Sequence, residues 1–251
     1  MLRNRKSRSH KHLVTISPQN RAEEYAHSAL DFCRKREQGL PRLPLPIPAE
    51  LWAEKHLRVK IAVEDLSIYG EGTLGALRPD CRLILIDPIT EHHVGLYRFT
   101  IAHELGHLAQ HKYLRLDRFV DDAGCLSLSE SFLSYLEVEA NRFAAYFLMP
   151  SKDVFEELIR FFGLRGVNPD DYLAMLTFPT DRSLWWWKHR VLPFLTESFQ
   201  VSLTAMMIRC RTLQVGTHTL LPAQLESEVL APSGRLSTIL QRMYYRRAVN
   251  S

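Results

Sequence analysis

The sequence predicts an α+β fold, in which a small antiparallel sheet packs on a helical core and a further helical region follows. Two observations carry this prediction. Short apolar runs with the alternation of strands occur between residues 58 and 86, whereas apolar residues from about 91 onward recur at helical intervals. Strands that come first and helices that come afterwards are typical of an α+β domain.

The chain begins with a basic tail, residues 1–17, which we expect to be disordered. A helical pattern follows over about residues 18–37, because its apolar residues lie three and four positions apart. Several prolines then interrupt the chain. Since proline is excluded from a helix interior, the next helix is expected to be short and to cover residues 49–56.

Three strands are expected next, at residues 58–64, 73–77 and 81–86. Apolar residues alternate in the first strand, and leucines alternate with isoleucines in the third. Glycines separate the first two strands, and a Pro-Asp pair separates the second from the third. Pro88 ends the third strand, so the sheet is complete before the long helices begin.

Long helices are expected at about residues 91–112 and 129–149, with an acidic loop between them. Ser151 is expected to cap the next helix, which runs to about residue 162. A helical region without strand patterns follows. The sequence therefore predicts three regions, namely residues 1–17, 18–165 and 166–251.

The composition excludes several classes of protein. No apolar run approaches the roughly 20 residues of a membrane helix, and the basic start is unlike a secretory signal. The four cysteines form no C-x-x-C pair, which favours a reducing compartment, so we expect a cytoplasmic protein. The net charge is +4, and Lys and Arg supply five positive charges before residue 12. The basic character therefore belongs mainly to the tail and does not indicate a nucleic-acid-binding face.

The main candidate for chemistry is the motif His103-Glu104-Leu105-Gly106-His107. Residues four apart lie on one face of a helix, so both imidazoles can reach a single metal ion. Glu104 is offset by roughly 100° around the helix axis, where it can hydrogen-bond a water molecule beside that ion. Catalytic zinc sites use three protein ligands and a water, so a third ligand is needed.

The candidates for a third ligand are His111, Cys125, Glu137 and Glu139. His111 lies a further turn along the motif helix, too far from an ion between the two histidines, and Cys125 lies in a loop. Glu137 shares one helical stripe with Asn141 and with small or apolar residues, so we expect it to face the core. Glu139 points about 200° away and is expected to be exposed. These arguments favour Glu137 over Glu139.

The segments RFTIAHELGH at 98–107 and EVEANRFAAYFLMP at 137–150 resemble the two motif helices of the ImmA/IrrE-type metallopeptidases. The order of elements before the motif is also similar, and the resemblance covers roughly residues 18–163. Departures within the motifs are small, with Ile101 and Phe147 where leucine is usual.

The resemblance implies a zincin-like core that holds one zinc ion through His103, His107 and Glu137, although manganese stays open as the metal. Glu104 is expected to act as the general base of a peptidase. Asn141, one turn beyond Glu137, is expected to hydrogen-bond a ligand and fix its orientation. The implied substrate is a protein, namely a helix-turn-helix transcriptional repressor cleaved in a stress or mobile-element response.

The C-terminal region carries two features outside this resemblance. Three consecutive tryptophans, at residues 185–187, cannot all face one side of a helix, so they either pack on the core or form a docking surface. Residues 195–213 have the pattern of a helix-turn-helix-like pair. Ser202 is expected to cap the second helix, and this helix would offer Arg209 and Arg211 to DNA. The alternative function is therefore a DNA-binding or partner-sequestering regulator with a non-catalytic zinc site.

Overall fold

The computed structural model describes residues 21–37, 40–70, 72–78, 80, 82–111 and 130–225. The predicted basic tail, the acidic loop with Cys125, Cys81 and the chain beyond residue 225 lie outside the described residues. Two helices precede a small sheet and further helices follow it, so the predicted α+β fold is confirmed.

The main sheet consists of β1 (Lys60–Val63), β2 (Gly75–Arg78) and β3 (Leu83–Ile86), in the order β1–β3–β2. β3 pairs parallel with β1 and antiparallel with β2, so the sheet is mixed and the prediction of a purely antiparallel sheet is wrong. β3 takes the centre because its four residues are all Leu or Ile and three of them are buried. One edge of β2 remains unpaired within the described part of the chain.

Among the residues before 165 that the structure describes, the helical core has four larger α-helices and one short one. Their bounds are α1 (Arg21–Arg36), α2 (Ala49–Lys55), α3 (Val94–His111), α4 (Glu130–Leu148) and α5 (Ser151–Gly163). The cap predicted for α5 is wrong, because Pro150 occupies the N-cap position and no side chain caps the helix. The Ser151 hydroxyl donates instead to the Glu23 carboxylate of α1, at 3.1 Å.

α3 lies at the centre of the molecule and contacts α1, α2, α4, β2 and β3. Every residue from Arg98 to Gly106 is buried, so the helix is covered around its circumference rather than along one stripe. The buried polar groups therefore need partners. Arg98, for example, donates to the Ile47 carbonyl and lies 3.4 Å from the Glu50 carboxylate.

The described part of the C-terminal region, residues 166–225, adds four α-helices and a two-stranded hairpin. Their bounds are α6 (Pro169–Leu176), α7 (Asp181–Trp186), α8 (Leu192–Phe199), α9 (Leu203–Thr212), β4 (Gln214–Val215) and β5 (His218–Thr219). A π-helical turn at residues 187–191 joins α7 to α8. The predicted cap at Ser202 is confirmed, since its hydroxyl accepts from the Ala205 N–H at 3.1 Å.

One hydrophobic cluster contains residues from α1 through to the segment after β5, and so crosses the predicted boundary at residue 165. Gly95 of α3 allows the turn between α8 and α9 to approach closely, because a Cβ there would lie 2.8 Å from the Ser202 nitrogen. Among the described helices, none alone has the length and apolar composition to cross a membrane. The segments 181–199 and 203–212 reach that threshold only together, with a bend of 103° between them.

Candidate metal centre

The H-E-x-x-H motif lies in the buried middle of α3. His103 and His107 are one turn apart, and their Nε2 atoms are separated by 3.0 Å. His103 and Glu104 are each only 6% exposed. Three polar groups are thus largely withdrawn from water at one place, where each requires a partner.

α4 brings a carboxylate to the two histidines because Gly106 lets the helices approach. A Cβ at Gly106 would lie 3.1 Å from both the Cα and the carbonyl oxygen of Ala140. Glu137, about one turn before Ala140, places Oε2 3.4 Å from His103 Nε2 and Oε1 3.4 Å from His107 Nε2. The carboxylate therefore faces both imidazoles at once.

This arrangement fits a divalent metal ion. Two ligand atoms that lie about 2.1 Å from one ion in a tetrahedral site are about 3.4 Å apart, which is the separation seen between Glu137 and each histidine. The three ligand atoms lie within 4.8 Å of one another, and no other such group occurs among the residues that the structure describes. Two imidazoles and one carboxylate are also a donor set that catalytic zinc sites use.

Asn141 fixes which nitrogen of His103 is free. Its side-chain oxygen lies 2.9 Å from His103 Nδ1. Because an amide oxygen only accepts, His103 carries its proton on Nδ1 and directs the lone pair of Nε2 towards Glu137 and His107. A lone pair at that position is what a metal ion requires of an imidazole.

In the metal-free site, Glu137 and His103 stabilise each other's charged forms. Partial burial alone would raise the pKa of Glu137. When the His103 and His107 rings carry protons on Nε2, however, their interactions with the carboxylate outweigh burial and hold its pKa well below the ordinary value. Burial of His103 disfavours its charged form, yet the hydrogen bond with Glu137 and the charge of Glu104 raise its pKa overall. The site therefore attracts positive charge.

Glu104 lies beside the histidines in a different environment. Burial is the largest influence on its pKa and raises it above the ordinary value, although both motif histidines act in the opposite direction. Gly75 of the edge strand β2 lies directly against it, since a Cβ there would be 2.8 Å from Glu104 Oε1 and 2.5 Å from Thr100 Cγ2. The edge of the sheet thus lies next to the buried carboxylate.

Comparison with known families agrees with this geometry. Residues 56–161, which include α3 and Glu137, match the family model of peptidase family M78, described as the IrrE N-terminal-like domain. Over these residues the chain is similar to the IrrE N-terminal-like domain. The resemblance to the ImmA/IrrE-type metallopeptidases is thereby confirmed.

Other comparisons with this IrrE-like protein are more distant. No protein of curated function shows a significant match to its sequence. Among solved structures, a Mycobacterium tuberculosis transcriptional regulator is similar, with 17% sequence identity and a TM-score of 0.45. The match covers 78% of the IrrE-like chain and 49% of the regulator, so the chain spans about half of that protein's length.

The two glutamates of the E-x-E motif differ from the exposure predicted for them. The Glu137 side chain is 47% exposed, whereas the Glu139 side chain is 11% exposed, so the prediction that Glu137 is buried and Glu139 exposed is wrong. Glu137 reaches the histidines from the open side of the site, while Glu139 turns towards the C-terminal end of α3. Glu137 nevertheless is the glutamate that the structure brings to His103 and His107.

His111 and Glu139, the two remaining candidate ligands that the structure describes, lie behind His107. His111 Nδ1 is 3.0 Å from His107 Nδ1, so it contacts the side of His107 that faces away from Glu137. Cys125 lies outside the described residues. The sequence analysis missed the contacts that continue from His111 to Glu139 and Tyr135. Their four-residue spacings, 107–111 and 135–139, were the signal that could have revealed them.

The helix-turn-helix-like pair of the IrrE-like protein is part of its core. The helices on either side of the turn cross at 103°, which is compatible with such a motif. However, Arg209 is only 1% exposed and donates to the Met149 carbonyl at 2.8 Å. One of the two arginines expected to offer a charge to DNA is therefore used inside the protein, whereas Arg211 is half-buried.

The three consecutive tryptophans have three different environments. Trp187 is buried, and its indole N–H donates to the Leu176 carbonyl at 3.0 Å. Trp186 packs against Phe161, Phe162 and Tyr172. Trp185 remains 47% exposed. Two of the three rings thus serve the core, and one is left at the surface.

Proposed function

We propose that this IrrE-like protein is a zinc-dependent endopeptidase that hydrolyses a peptide bond in a protein substrate in the cytoplasm. The observation that carries the proposal is the convergence of His103 and His107 from α3 with Glu137 from α4, beside the buried carboxylate of Glu104. A site that only stabilised the fold would need no such carboxylate, since structural zinc sites have four protein ligands and keep no open position.

His103, His107 and Glu137 would hold the metal ion, with Asn141 keeping His103 in the tautomer that binds it. Zinc, or manganese in its place, would supply a positive charge that lowers the pKa of water towards about 7 and polarises a peptide carbonyl. Two neutral imidazoles and one carboxylate leave a dipositive ion with an uncompensated positive charge, which supports this use.

Glu104 is the proposed general base. Because burial raises its pKa, the carboxylate is a better proton acceptor than an exposed glutamate. It accepts the proton of the attacking water on a side-chain oxygen and later donates it to the leaving nitrogen. The same burial excludes competing solvent around the carboxylate, so the proton stays available for the second step.

The edge strand β2 supports a peptide as the substrate. β2 pairs with β3 on one side only, and its Gly75 lies against Glu104. An extended peptide that adds to this edge would gain backbone hydrogen bonds and pass close to the general base. A groove along an edge strand accepts a chain that continues in both directions, which favours an endopeptidase.

The proposed substrate is a helix-turn-helix transcriptional repressor, cleaved in response to stress or to a mobile element. This part of the proposal comes from the resemblance to the ImmA/IrrE-type metallopeptidases. Repressors encoded near the gene for this chain are therefore the first substrates to test.

The test uses the zinc-loaded full chain, its Glu104→Gln variant and the matched control Glu197→Gln, which changes an exposed glutamate on α8. Each is mixed with a candidate repressor, and metal content and fragments are measured. We expect a defined fragment with the wild type and the control. We expect Glu104→Gln to retain one metal ion per chain and to cleave at least about a hundredfold more slowly.

Two outcomes would contradict the proposal. If Glu104→Gln cleaves as fast as the wild type, Glu104 is not the base. If the wild type relieves repression and leaves every repressor intact, and Glu104→Gln does the same, the chain is a sequestering regulator with a non-catalytic metal site.

A further inference from the structure

A chain of polar contacts lies behind His107, on the side away from Glu137. His107 Nδ1 is 3.0 Å from His111 Nδ1, and His111 Nε2 is 3.4 Å from Glu139 Oε2. The Tyr135 hydroxyl donates to Glu139 Oε1 at 2.7 Å. Four side chains thus connect a candidate metal ligand on α3 to the first half of α4.

The direction of these hydrogen bonds follows from their last acceptor. A carboxylate accepts only, so the proton of a neutral His111 lies on Nε2, facing Glu139. His111 Nδ1 then carries a lone pair, and the contact at 3.0 Å requires His107 to donate from Nδ1. His107 Nε2 is consequently left with a lone pair, and it points to Glu137 and His103.

The contacts of Glu139 oppose its reading as a solvated surface residue. Glu139 is 9% exposed and His111 is 7% exposed, and burying a carboxylate is costly unless specific partners compensate. The backbone of Glu139 is also held in place, because the Gln110 side chain donates to its carbonyl oxygen at 3.2 Å. In the described hydrogen bonds, Tyr135 contacts Glu139, and Glu139 reaches the pair of motif histidines through His111.

We propose that Glu139, supported by Tyr135, is a positioning residue for the metal ligand His107. Without a carboxylate at this place, His111 could carry its proton on Nδ1 instead. That proton would face His107 Nδ1 and would favour the His107 tautomer that has its own proton on Nε2, where the metal binds. The inference rests on the proposed function in taking His107 as a metal ligand, but not on peptide hydrolysis.

Zinc affinity of the full chain provides a test that does not depend on activity. Apparent dissociation constants are measured by competition with a chromophoric chelator at one fixed pH. The variants are Glu139→Ala, Glu139→Gln, His111→Ala and the double variant Glu139→Ala/His111→Ala. Glu197→Ala, at an exposed position on α8, is the matched control.

We expect Glu139→Ala to weaken zinc binding about 10- to 100-fold, as loss of a partner behind a ligating histidine does in other metal sites. Glu139→Gln keeps an oxygen that accepts from His111 and is expected to recover most of the affinity. Since Glu139 acts through His111, the double variant should bind no more weakly than His111→Ala alone. The control should match the wild type.

If Glu139 had only a structural role, its replacement would lower the stability of the metal-free protein without producing this pattern of zinc affinities. The inference is overturned if Glu139→Ala binds zinc within twofold of the wild type, or if the losses of the two single variants multiply in the double variant. If Glu139→Ala does not fold, Glu139→Gln and Tyr135→Phe decide the question, because Tyr135 is 52% exposed and its ring can remain in place. Tyr135→Phe should weaken binding between about two- and tenfold.

The results also separate this inference from the proposed function. Weakened zinc binding in Glu139→Ala, together with a wild type that cleaves no repressor, would uphold the positioning role and contradict the peptidase. Normal zinc binding in Glu139→Ala, together with a wild type that cleaves a repressor, would contradict the positioning role and uphold the peptidase.

Discussion

Gly75, in the edge strand β2, lies directly against the proposed general base Glu104. A methyl group added there would lie 2.8 Å from Glu104 Oε1 and 2.5 Å from Thr100 Cγ2, so Glu104 or the strand must move. We expect Gly75→Ala to lower kcat/KM for repressor cleavage at least about tenfold, because a small displacement of a catalytic group is costly. Metal content should remain at the wild-type level, since the atoms nearest to the added methyl group belong to Thr100 and Glu104 and not to a proposed metal ligand.

Gly163→Ala provides the control for this prediction, since its added methyl group meets no atom within 4 Å. Cleavage assays with metal analysis on both variants make the comparison. A Gly75→Ala enzyme as active as Gly163→Ala would show that Glu104 is not held where the structure places it.

The metal-ligating residues were predictable from sequence to a large extent, but their environments were not. The four-residue spacing of His103 and His107 places both imidazoles on one face of any helix. The choice of Glu137 over Glu139 used an argument about burial that the structure reverses. A helical stripe indicates which residues share a face, yet it does not indicate that Glu137 on this face is half-exposed to solvent.

The packing of α3 on α4 decides the distance between the histidines and Glu137. Gly106 has no side chain to separate the helices. A Cβ there would lie 3.1 Å from the Cα and the carbonyl oxygen of Ala140 and from the Cβ of Phe143, all on α4. We expect Gly106→Ala to lower the free energy of unfolding of the metal-free protein by about 1–3 kcal/mol through overpacking. Zinc affinity should fall as well, because the ligands lie on both helices.

Urea unfolding and chelator competition measure the two effects, again with Gly163→Ala as the control. A Gly106→Ala protein with normal stability and normal zinc affinity would show that the approach of α3 and α4 tolerates a side chain there.

The elements of the fold were easier to predict than their arrangement. Proline positions and apolar periodicity located each strand of the main sheet and most helices to within a few residues, but the β4–β5 hairpin was missed. The parallel pairing of β1 with β3 was missed. It requires β1 and β2, which are consecutive in sequence, to occupy the two edges of the sheet, with β3 between them. Nothing local in these strands encodes that order, which depends on the most apolar strand being covered on both edges.

At the scale of the whole molecule, Arg209 connects the C-terminal helices to the IrrE-like domain. Its guanidinium donates to the Met149 carbonyl at 2.8 Å and to the Ser151 hydroxyl at 2.7 Å. Burial lowers the pKa of Arg209 to about 10, so the side chain remains charged at neutral pH. We expect Arg209→Ala to lower the free energy of unfolding by about 2–4 kcal/mol, because it leaves buried partners unsatisfied.

Arg142→Ala, at an exposed position on α4, is the control for Arg209→Ala in urea unfolding. An unfolding free energy equal to that of the control would mean that the region after residue 165 contributes little through this contact. The functional division at residue 165 stays a prediction. The shared hydrophobic cluster leads us to expect that the two parts unfold together.

Two histidines and one carboxylate, and no cysteine, are the proposed ligands of the metal ion, and the proposed function depends most on this ligand set. An X-ray absorption spectrum of the zinc-loaded full chain at the zinc edge tests this directly. We predict a shell of nitrogen and oxygen ligands at about 2.0–2.1 Å, with the outer-shell scattering of two imidazoles. A sulfur ligand at about 2.3 Å, or scattering from a single imidazole, would contradict the account.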